Sequence, residues 1–238
     1  HSLRTVEDVQ RIAHAVSVQP RHAVVIGGGF IGIESAENLV HRGISTTVVE
    51  AANQVMTPLD PEMATLIHDE LTAHGVHLEL STSVERIDED SVVLSNGKVI
   101  SADLVIAAIG VRPDVTLANE CGLAIGQRGG ITVDAFGVTS DPSIYAIGDV
   151  VEKIDALDKQ ATLVPLANIA NRQGRVAADH IMGHPVRPVV TIGTAIVKVF
   201  DLVVALTGWN EKRLSAANIP HIAIHTHPGS VSYTHLRA

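Results

Sequence analysis

Apolar and polar residues along the first half of the chain follow a pattern that predicts a strand, a helix and a second strand. Residues 23–26 form an unbroken apolar run, which is typical of a strand buried in a parallel sheet. A helix follows a group of glycines, and its apolar face is formed by Ile33, Ala36, Leu39 and Val40. Gly43 ends this helix, and residues 46–50 form the next strand.

The same reasoning predicts the other elements of the chain. Thr5 and Asp8 form a capping box that starts a helix running to about Val16. The first half continues with a helix over residues 61–74, a strand over 76–80, a hairpin-like passage over 88–97 and a fully buried strand over 104–109. The second half contains short strands over 131–133 and 144–147, a helix over 167–182, paired strands over 191–197 and 202–206, and a helix over 211–217.

These elements predict an α/β protein that contains more than one domain. We divide it into a connecting helix (residues 1–17), a Rossmann-like nucleotide-binding domain (18–112), part of a second nucleotide-binding domain (113–186) and the start of an α+β domain (187–238).

The glycines after the first strand carry the clearest chemical signal. Gly27, Gly29 and Gly32 satisfy the pattern G-x-G-x-x-G between an apolar strand and an amphipathic helix. In such a turn the glycines allow a sharp bend, a close approach to a pyrophosphate and tight packing of helix on sheet. The pyrophosphate then lies at the helix N-terminus, which favours anions. The alternative is a glycine-rich turn that only joins strand to helix.

Glu50 ends the second strand, where its carboxylate can accept hydrogen bonds from the ribose hydroxyls of NAD. A 2′-phosphate would be repelled by that carboxylate, and Ala51 and Ala52 offer it no cation. The sequence therefore favours NAD(H) over NADP(H).

Composition excludes several classes of partner. The net charge of −9 argues against a nucleic-acid or anionic-membrane surface. The longest apolar runs are far shorter than the roughly 20 residues that cross a bilayer. A single cysteine fits a reducing compartment, so we expect a cytoplasmic protein.

Three further stretches narrow the interpretation from a general nucleotide-binding fold to a particular family. They are residues 102–114, 139–149 and 165–175. In this order they resemble the FAD-dependent pyridine nucleotide–disulfide oxidoreductases, in particular the branch of coenzyme A disulfide reductase, NADH oxidase and NADH peroxidase. Residues 59–63 and 196–202 fit the same branch, and the resemblance runs from about residue 2 to 230.

The resemblance implies two cofactors, FAD and NAD(H). Residues 113–186 would then be the C-terminal segment of the FAD-binding domain, and residues 187–238 part of a dimerisation domain of a homodimer. The implied NAD contacts are Phe30, Ile31, Glu34, Leu59 and Gly110, in addition to the glycine turn and Glu50. The implied FAD contacts are Gly148, Asp149, Leu166 and Ala167, and the implied substrate contacts are Asn171 and Arg172.

Two of these residues have simpler alternatives. Glu34 can be an acid that merely suits the positive end of a helix dipole. Asp149 can be an ordinary turn acid, although the flanking residues favour a hydrogen bond to the ribityl chain of FAD.

The resemblance also implies what this stretch of sequence lacks. In the family the redox cysteine lies in the N-terminal FAD segment, so we expect no catalytic residue in this chain and no turnover by it alone. Cys121 is interpreted as a small packed residue. His225 and His227 lack a completing ligand set, so no metal is expected. Residues 231–238 depart from the family and are interpreted as a non-native tail.

The electron acceptor is left open by the sequence: coenzyme A disulfide, a peroxide or O₂. The alternatives are a flavin-dependent ferredoxin or rubredoxin reductase, and a non-catalytic NADH-binding module.

Overall fold

The computed structural model describes residues 1–226, which fall into two compact units. The first runs from His1 to Gly208, and the second begins at Trp209. The predicted tail over residues 231–238 lies outside the described part of the chain.

A four-stranded parallel sheet forms the centre of the first unit. Its strands are β1 (His22–Ile26), β2 (Ser45–Val49), β3 (Val76–Glu79) and β7 (Leu104–Ala107). They lie in the order β3-β2-β1-β7. β1 lies between β2 and β7, so the chain winds away from β1 in both directions. This is the arrangement of a Rossmann half, in which ligands bind at the carboxyl ends where the strand order reverses.

Helices cover one face of this sheet: α1 (Val6–Ser17), α2 (Phe30–Val40) and α3 (Pro61–Ala73). The predicted capping box of α1 is confirmed, because Thr5 and Asp8 each cap the other's backbone N–H. The core on this side contains fully buried aliphatic side chains from strands and helices, including Val25, Ile33, Val48, Ile67 and Leu71.

A three-stranded antiparallel sheet covers the other face. It contains β4 (Val84–Ile87), β5 (Ser91–Leu94) and β6 (Val99–Ser101), so the predicted hairpin-like passage gains a third strand. Val92 and Leu94 pack against Val24 and Val49 of the parallel sheet. Both sheet faces are therefore buried, which explains the apolar run in β1 and the burial of Thr46 and Thr47 beside Val48 and Val49 in β2.

The second half of the first unit contains fewer regular elements. They are α4 (Thr116–Glu120), a single 3₁₀ turn (Gly148–Val150), β8 (Lys153–Ile154), β9 (Ala161–Thr162), α5 (Ala167–Ile181), β10 (Ala195–Val199) and β11 (Leu202–Leu206). β10 and β11 form an antiparallel pair. Val197, Val199 and Val204 of these strands, with Phe200 in the turn between them, join the core on the helical side of the parallel sheet.

Several predictions about these elements are wrong. Residues 131–133 and 144–147 form only single β-bridges, because the glycine and proline turns around them leave one paired residue at a time. The first of the paired strands begins at Ala195 rather than residue 191.

The strand predicted over residues 104–109 is also corrected. β7 ends at Ala107 and has alternating burial; on its outer edge the sheet continues only as a single bridge from Ser2 to Ala107. Ile109 lies past the end of the strand and is 79% exposed.

The second unit contains α6 (Glu211–Ala216), which confirms the predicted final helix. Asn210 caps it by accepting a hydrogen bond from the N–H of Arg213, and the Arg213 guanidinium lies 4.3 Å from the centre of the Trp209 ring. Of the helices within residues 1–226, none combines the length and hydropathy needed to cross a bilayer.

Candidate nucleotide-binding site

The glycine turn lies at the carboxyl end of β1, directly beside the loop that follows β7. Gly27 has a φ of +106°, and a Cβ on it would lie 2.4 Å from the carbonyl oxygen of Ala108. This close approach of two backbones leaves no room for a side chain. The turn and the loop containing Gly110 therefore meet at the point where the strand order reverses.

Gly32 and Gly29 differ in what surrounds them. A Cβ on Gly32 would lie 1.9 Å from the carbonyl oxygen of Gly27, so the first turn of α2 packs directly against the glycine turn. A Cβ on Gly29 would meet no protein atom within 4 Å. Gly32 is thus required by the fold, whereas the space beside Gly29 is open to a ligand.

The N-terminus of α2 faces this open space. Gly29 is the N-cap residue and has no side chain that could cap the helix. The first helical hydrogen bond is donated by the N–H of Ile33 to the carbonyl oxygen of Gly29, at 3.0 Å. The N–H groups of Phe30, Ile31 and Gly32 therefore precede the helical ladder and can be donated to an anion.

Glu50 lies beside the turn, and its carboxylate is held by two main-chain donors. The N–H of Gly28 donates to Oε2 at 2.6 Å, and the N–H of Ala52 donates to Oε1 at 2.8 Å. A carboxylate has about four lone-pair positions, so each oxygen can accept a further hydrogen bond. The half-buried Glu50 can thus support the turn and still bind a ribose.

Val55 packs against the glycine turn, and His68 in turn holds Val55. A Cβ on Gly28 would lie 2.8 Å from a methyl carbon of Val55. The N–H of Val55 donates to Nε2 of His68 at 3.1 Å, and burial lowers the pKa of His68 below its usual value. His68 was not singled out from the sequence, because only the folded chain shows that α3 presents it to this loop.

The remaining predicted NAD contacts lie in different surroundings. Ile31 and Glu34 line a groove of about 420 Å³ between α1 and α2 whose other walls are largely apolar. Gly110 is exposed in the loop after β7, whereas the side chain of Leu59 is 6% exposed and packs in the core. Their contacts with NAD stay predictions.

The predicted FAD residues gather around the 3₁₀ turn. Gly148 has a φ of +77°, is buried and lies against Ala170 in the first turns of α5. Asp149, the next residue, is exposed. Leu166 is the N-cap residue of α5 and Ala167 its first residue, so the acid and the N-terminal part of this helix lie close together.

Asn171 and Arg172 lie one turn further along α5, and both are exposed. Their exposure is compatible with a substrate contact, which stays a prediction.

Comparison with known proteins decides the family. Residues 1–174 match the pyridine nucleotide-disulphide oxidoreductase family. The chain belongs to this family. The prediction made from the motifs is thereby confirmed, as is the α/β fold with a Rossmann-like core.

Individual members of the pyridine nucleotide-disulphide oxidoreductase family show how far the likeness extends. The crystal structure of reduced Bacillus anthracis CoADR-RHD is 50% identical, has a TM-score of 0.90, and is matched over 92% of this chain and 40% of its own. The NADH oxidase of Methanocaldococcus jannaschii is 36% identical over 92% of this chain and 50% of its own length. The coenzyme A disulfide reductase of Staphylococcus haemolyticus is 28% identical over 96% of this chain and 53% of its own. The chain thus spans about half the length of the curated relatives it matches.

Cys121 is not the packed residue that its sequence suggested. It is exposed at the C-terminal end of α4, because the apolar contact of this short helix is made by Ala118 instead. This exposure does not by itself give the thiol a redox role.

One group of side chains within residues 1–226 has the composition of a metal site: Glu70, His74 and Asp201. Their polar atoms already have partners in the protein: Glu70 accepts the N–H of Asp201 at 2.8 Å, Nδ1 of His74 lies 2.9 Å from the carbonyl of Glu70, and Nε2 of His74 lies 3.8 Å from the Asp201 carboxylate. We assign no metal to them. Of the histidine pair considered in the sequence, His227 lies outside the described residues.

Proposed function

We propose that this chain is the pyridine nucleotide-binding part of a flavin-dependent oxidoreductase that uses NADH as electron donor. The observation that carries the proposal is the geometry around Gly29. An open space, a helix N-terminus and the carboxylate of Glu50 lie together at the carboxyl ends of the parallel strands.

The residues fit a dinucleotide in three respects. The N–H groups at the start of α2 suit the pyrophosphate, and such charge–dipole interactions contribute about 0.3–1 kcal/mol each. Glu50 suits an unmodified ribose and disfavours a 2′-phosphate. The loop after β7 lies directly against Gly27, and its Gly110 is exposed, so the backbone there is accessible to a ligand.

The residues also fit a flavin dinucleotide at the second site. The exposed carboxylate of Asp149 is suited to accept hydrogen bonds from a polyol such as the ribityl chain. The N-terminus of α5 at Leu166 and Ala167 favours negative charge nearby. When bound, the flavin supplies the chemistry that takes a hydride from NADH and delivers electrons to the acceptor.

The contribution of this chain is therefore binding and positioning. Gly27 and Gly32 set the shape of the turn, Glu50 fixes the ribose, and Asp149 holds the polyol. We propose that the redox cysteine belongs to a part of the complete protein outside this sequence, and that the chain alone gives no turnover. A cytoplasmic location and a homodimer for the complete protein belong to the same proposal.

The acceptor class we favour is a small disulfide such as coenzyme A disulfide, with peroxide or O₂ as the alternatives. The likeness to the Bacillus anthracis structure and to the staphylococcal coenzyme A disulfide reductase supports this choice. Asn171 and Arg172 are the candidate contacts, because both project from the exposed side of α5.

The test uses the product of the complete gene, loaded with FAD. Anaerobic addition of NADH is expected to bleach the flavin absorbance, and coenzyme A disulfide is expected to restore it faster than peroxide, O₂ or a ferredoxin. Failure of NADH to bleach bound flavin would contradict the oxidoreductase assignment. Recovery with ferredoxin alone would replace the acceptor by an electron-transfer protein.

A further inference from the structure

Lys153 is an unusual residue in the second half of the chain because its charged side chain is buried. Only 6% of its surface is exposed, although lysines are almost never this buried without a partner. Within the described residues, both of its hydrogen bonds go to main-chain carbonyls. Nζ donates to the oxygen of Gly148 at 2.6 Å and to the oxygen of Val151 at 3.3 Å.

These two carbonyls flank the turn that presents Asp149. The buried ammonium group thus links the two ends of the Gly148–Val150 turn. Asp149, in the middle of the turn, is exposed to solvent. A second side chain completes the support: Oε1 of Gln173, on α5, accepts the N–H of Gly148 at 3.0 Å.

Hydrogen bonds and packing both act on this turn. Gly148 lies against Ala170 of α5, and Val151, which follows the turn, is fully buried. The hydrogen bonds from Lys153 to the carbonyls of Gly148 and Val151 therefore add to the packing at both ends of the turn. Burial lowers the pKa of Lys153 below its usual value, and the charge of nearby Asp149 opposes that change.

We propose that Lys153 is a positioning residue for the flavin site: its ammonium group closes the Gly148–Val150 turn so that the Asp149 carboxylate is held towards the polyol of a bound flavin dinucleotide. This proposal rests on the proposed function, since it assumes that the turn binds FAD. The reason for burying a lysine here is preorganisation, because a turn fixed before binding loses less conformational entropy when the ligand arrives.

The test is a double-mutant cycle in the complete gene product, with FAD affinity measured by flavin fluorescence during titration of the apoprotein. Lys153→Met is expected to weaken FAD binding about tenfold, which is a difference of about 1.4 kcal/mol. In an Asp149→Ala background the same substitution is expected to change FAD affinity little, because Lys153 acts through Asp149. Lys153→Arg, which keeps the charge and donors, is expected to restore part of the affinity.

Two controls separate positioning from general stability. NADH affinity should be unchanged in Lys153→Met. Lys159→Met should leave FAD affinity unchanged, because Lys159 is exposed and its Nζ donates to the carbonyl of Ala156 rather than to the Gly148–Val150 turn. Equal FAD affinity of the wild type and Lys153→Met, or additive losses in the cycle, would overturn the proposal. If Lys153→Met does not fold, Lys153→Gln takes its place in the cycle. A wild-type protein that binds no FAD would instead contradict the proposed function.

Discussion

The carboxylate of Glu50 accepts a hydrogen bond from the main-chain N–H of Gly28 at 2.6 Å. The acid at the end of β2 is therefore coupled to the glycine turn at the end of β1 before any ligand is present. A Cβ on Gly28 would meet Val55 at 2.8 Å and the Glu50 carboxylate at 3.2 Å, so both side chains pack against this glycine. The ribose-binding group and the pyrophosphate-binding turn thus form one preorganised unit, which is the physical basis of the predictions that follow.

Replacing Glu50 tests its role in choosing the nucleotide. Glu50→Gln removes the charge that binds ribose hydroxyls and repels a 2′-phosphate, so NADH affinity should fall about tenfold while NADPH affinity falls less or rises. Isothermal titration with both nucleotides measures this. The control is Glu89→Gln, an exposed acid in the turn between β4 and β5. Equal losses for NADH and NADPH would mean that Glu50 only supports the turn.

Two glycines of the turn should respond to alanine in opposite ways. Gly32→Ala places a Cβ 1.9 Å from the Gly27 oxygen, so the helix must shift and the melting temperature should fall by several degrees. Gly29→Ala meets no protein atom within 4 Å and has an extended backbone, so it should leave the melting temperature nearly unchanged and yet weaken NADH binding. Thermal unfolding of both variants measures the effect on stability, and titration with NADH measures the effect on binding. Normal NADH binding by Gly29→Ala would place the pyrophosphate elsewhere.

His68 should make the stability of the chain depend on pH. Its Nε2 accepts the N–H of Val55 and must be unprotonated to do so. Because burial lowers the pKa of His68 in the folded chain, the unfolded chain binds more protons, and stability falls as the pH falls. The stabilisation that unprotonated His68 gives the folded chain is complete above the pKa of histidine in the unfolded chain, which is about 6.5. It is lost as the pH falls through the lower pKa of His68 in the folded chain.

The measurement is the melting temperature at about pH 7.5 and about pH 5. His68→Gln should reduce the difference between the two, whereas His14→Gln, on the exposed side of α1, should not. Part of the pH dependence should remain in His68→Gln, since burial also lowers the pKa of His22. An unchanged difference in His68→Gln would show that the Val55 contact contributes nothing.

The sequence was sufficient for the parts of the site that depend on local pattern. The Gly27–Gly32 turn lies between an apolar strand and an amphipathic helix, and the spacing of its three glycines is enough to predict a sharp turn that binds a pyrophosphate. Glu50 follows from the same logic, because the end of the next parallel strand must lie at the same edge of the sheet.

Other features depend on contacts between distant residues and could not be predicted. Lys153 lies among mixed apolar and charged residues that do not predict its burial, and its hydrogen bonds to the carbonyls of Gly148 and Val151 form only in the folded chain. Cys121 suggested a packed residue, but Ala118 occupies the apolar contact instead. The strands expected over residues 131–133 and 144–147 were wrong because apolar runs that short give no information on whether a partner strand is available.

The central claim is that this chain binds NADH at the turn around Gly29. Isothermal titration of the purified 238-residue chain with NADH, followed by NADPH, tests it most directly. The expected result is saturable binding of NADH at one site, with NADPH weaker by about tenfold because of Glu50. Absence of NADH binding by the folded chain, or equal affinity for the two nucleotides, would contradict the account.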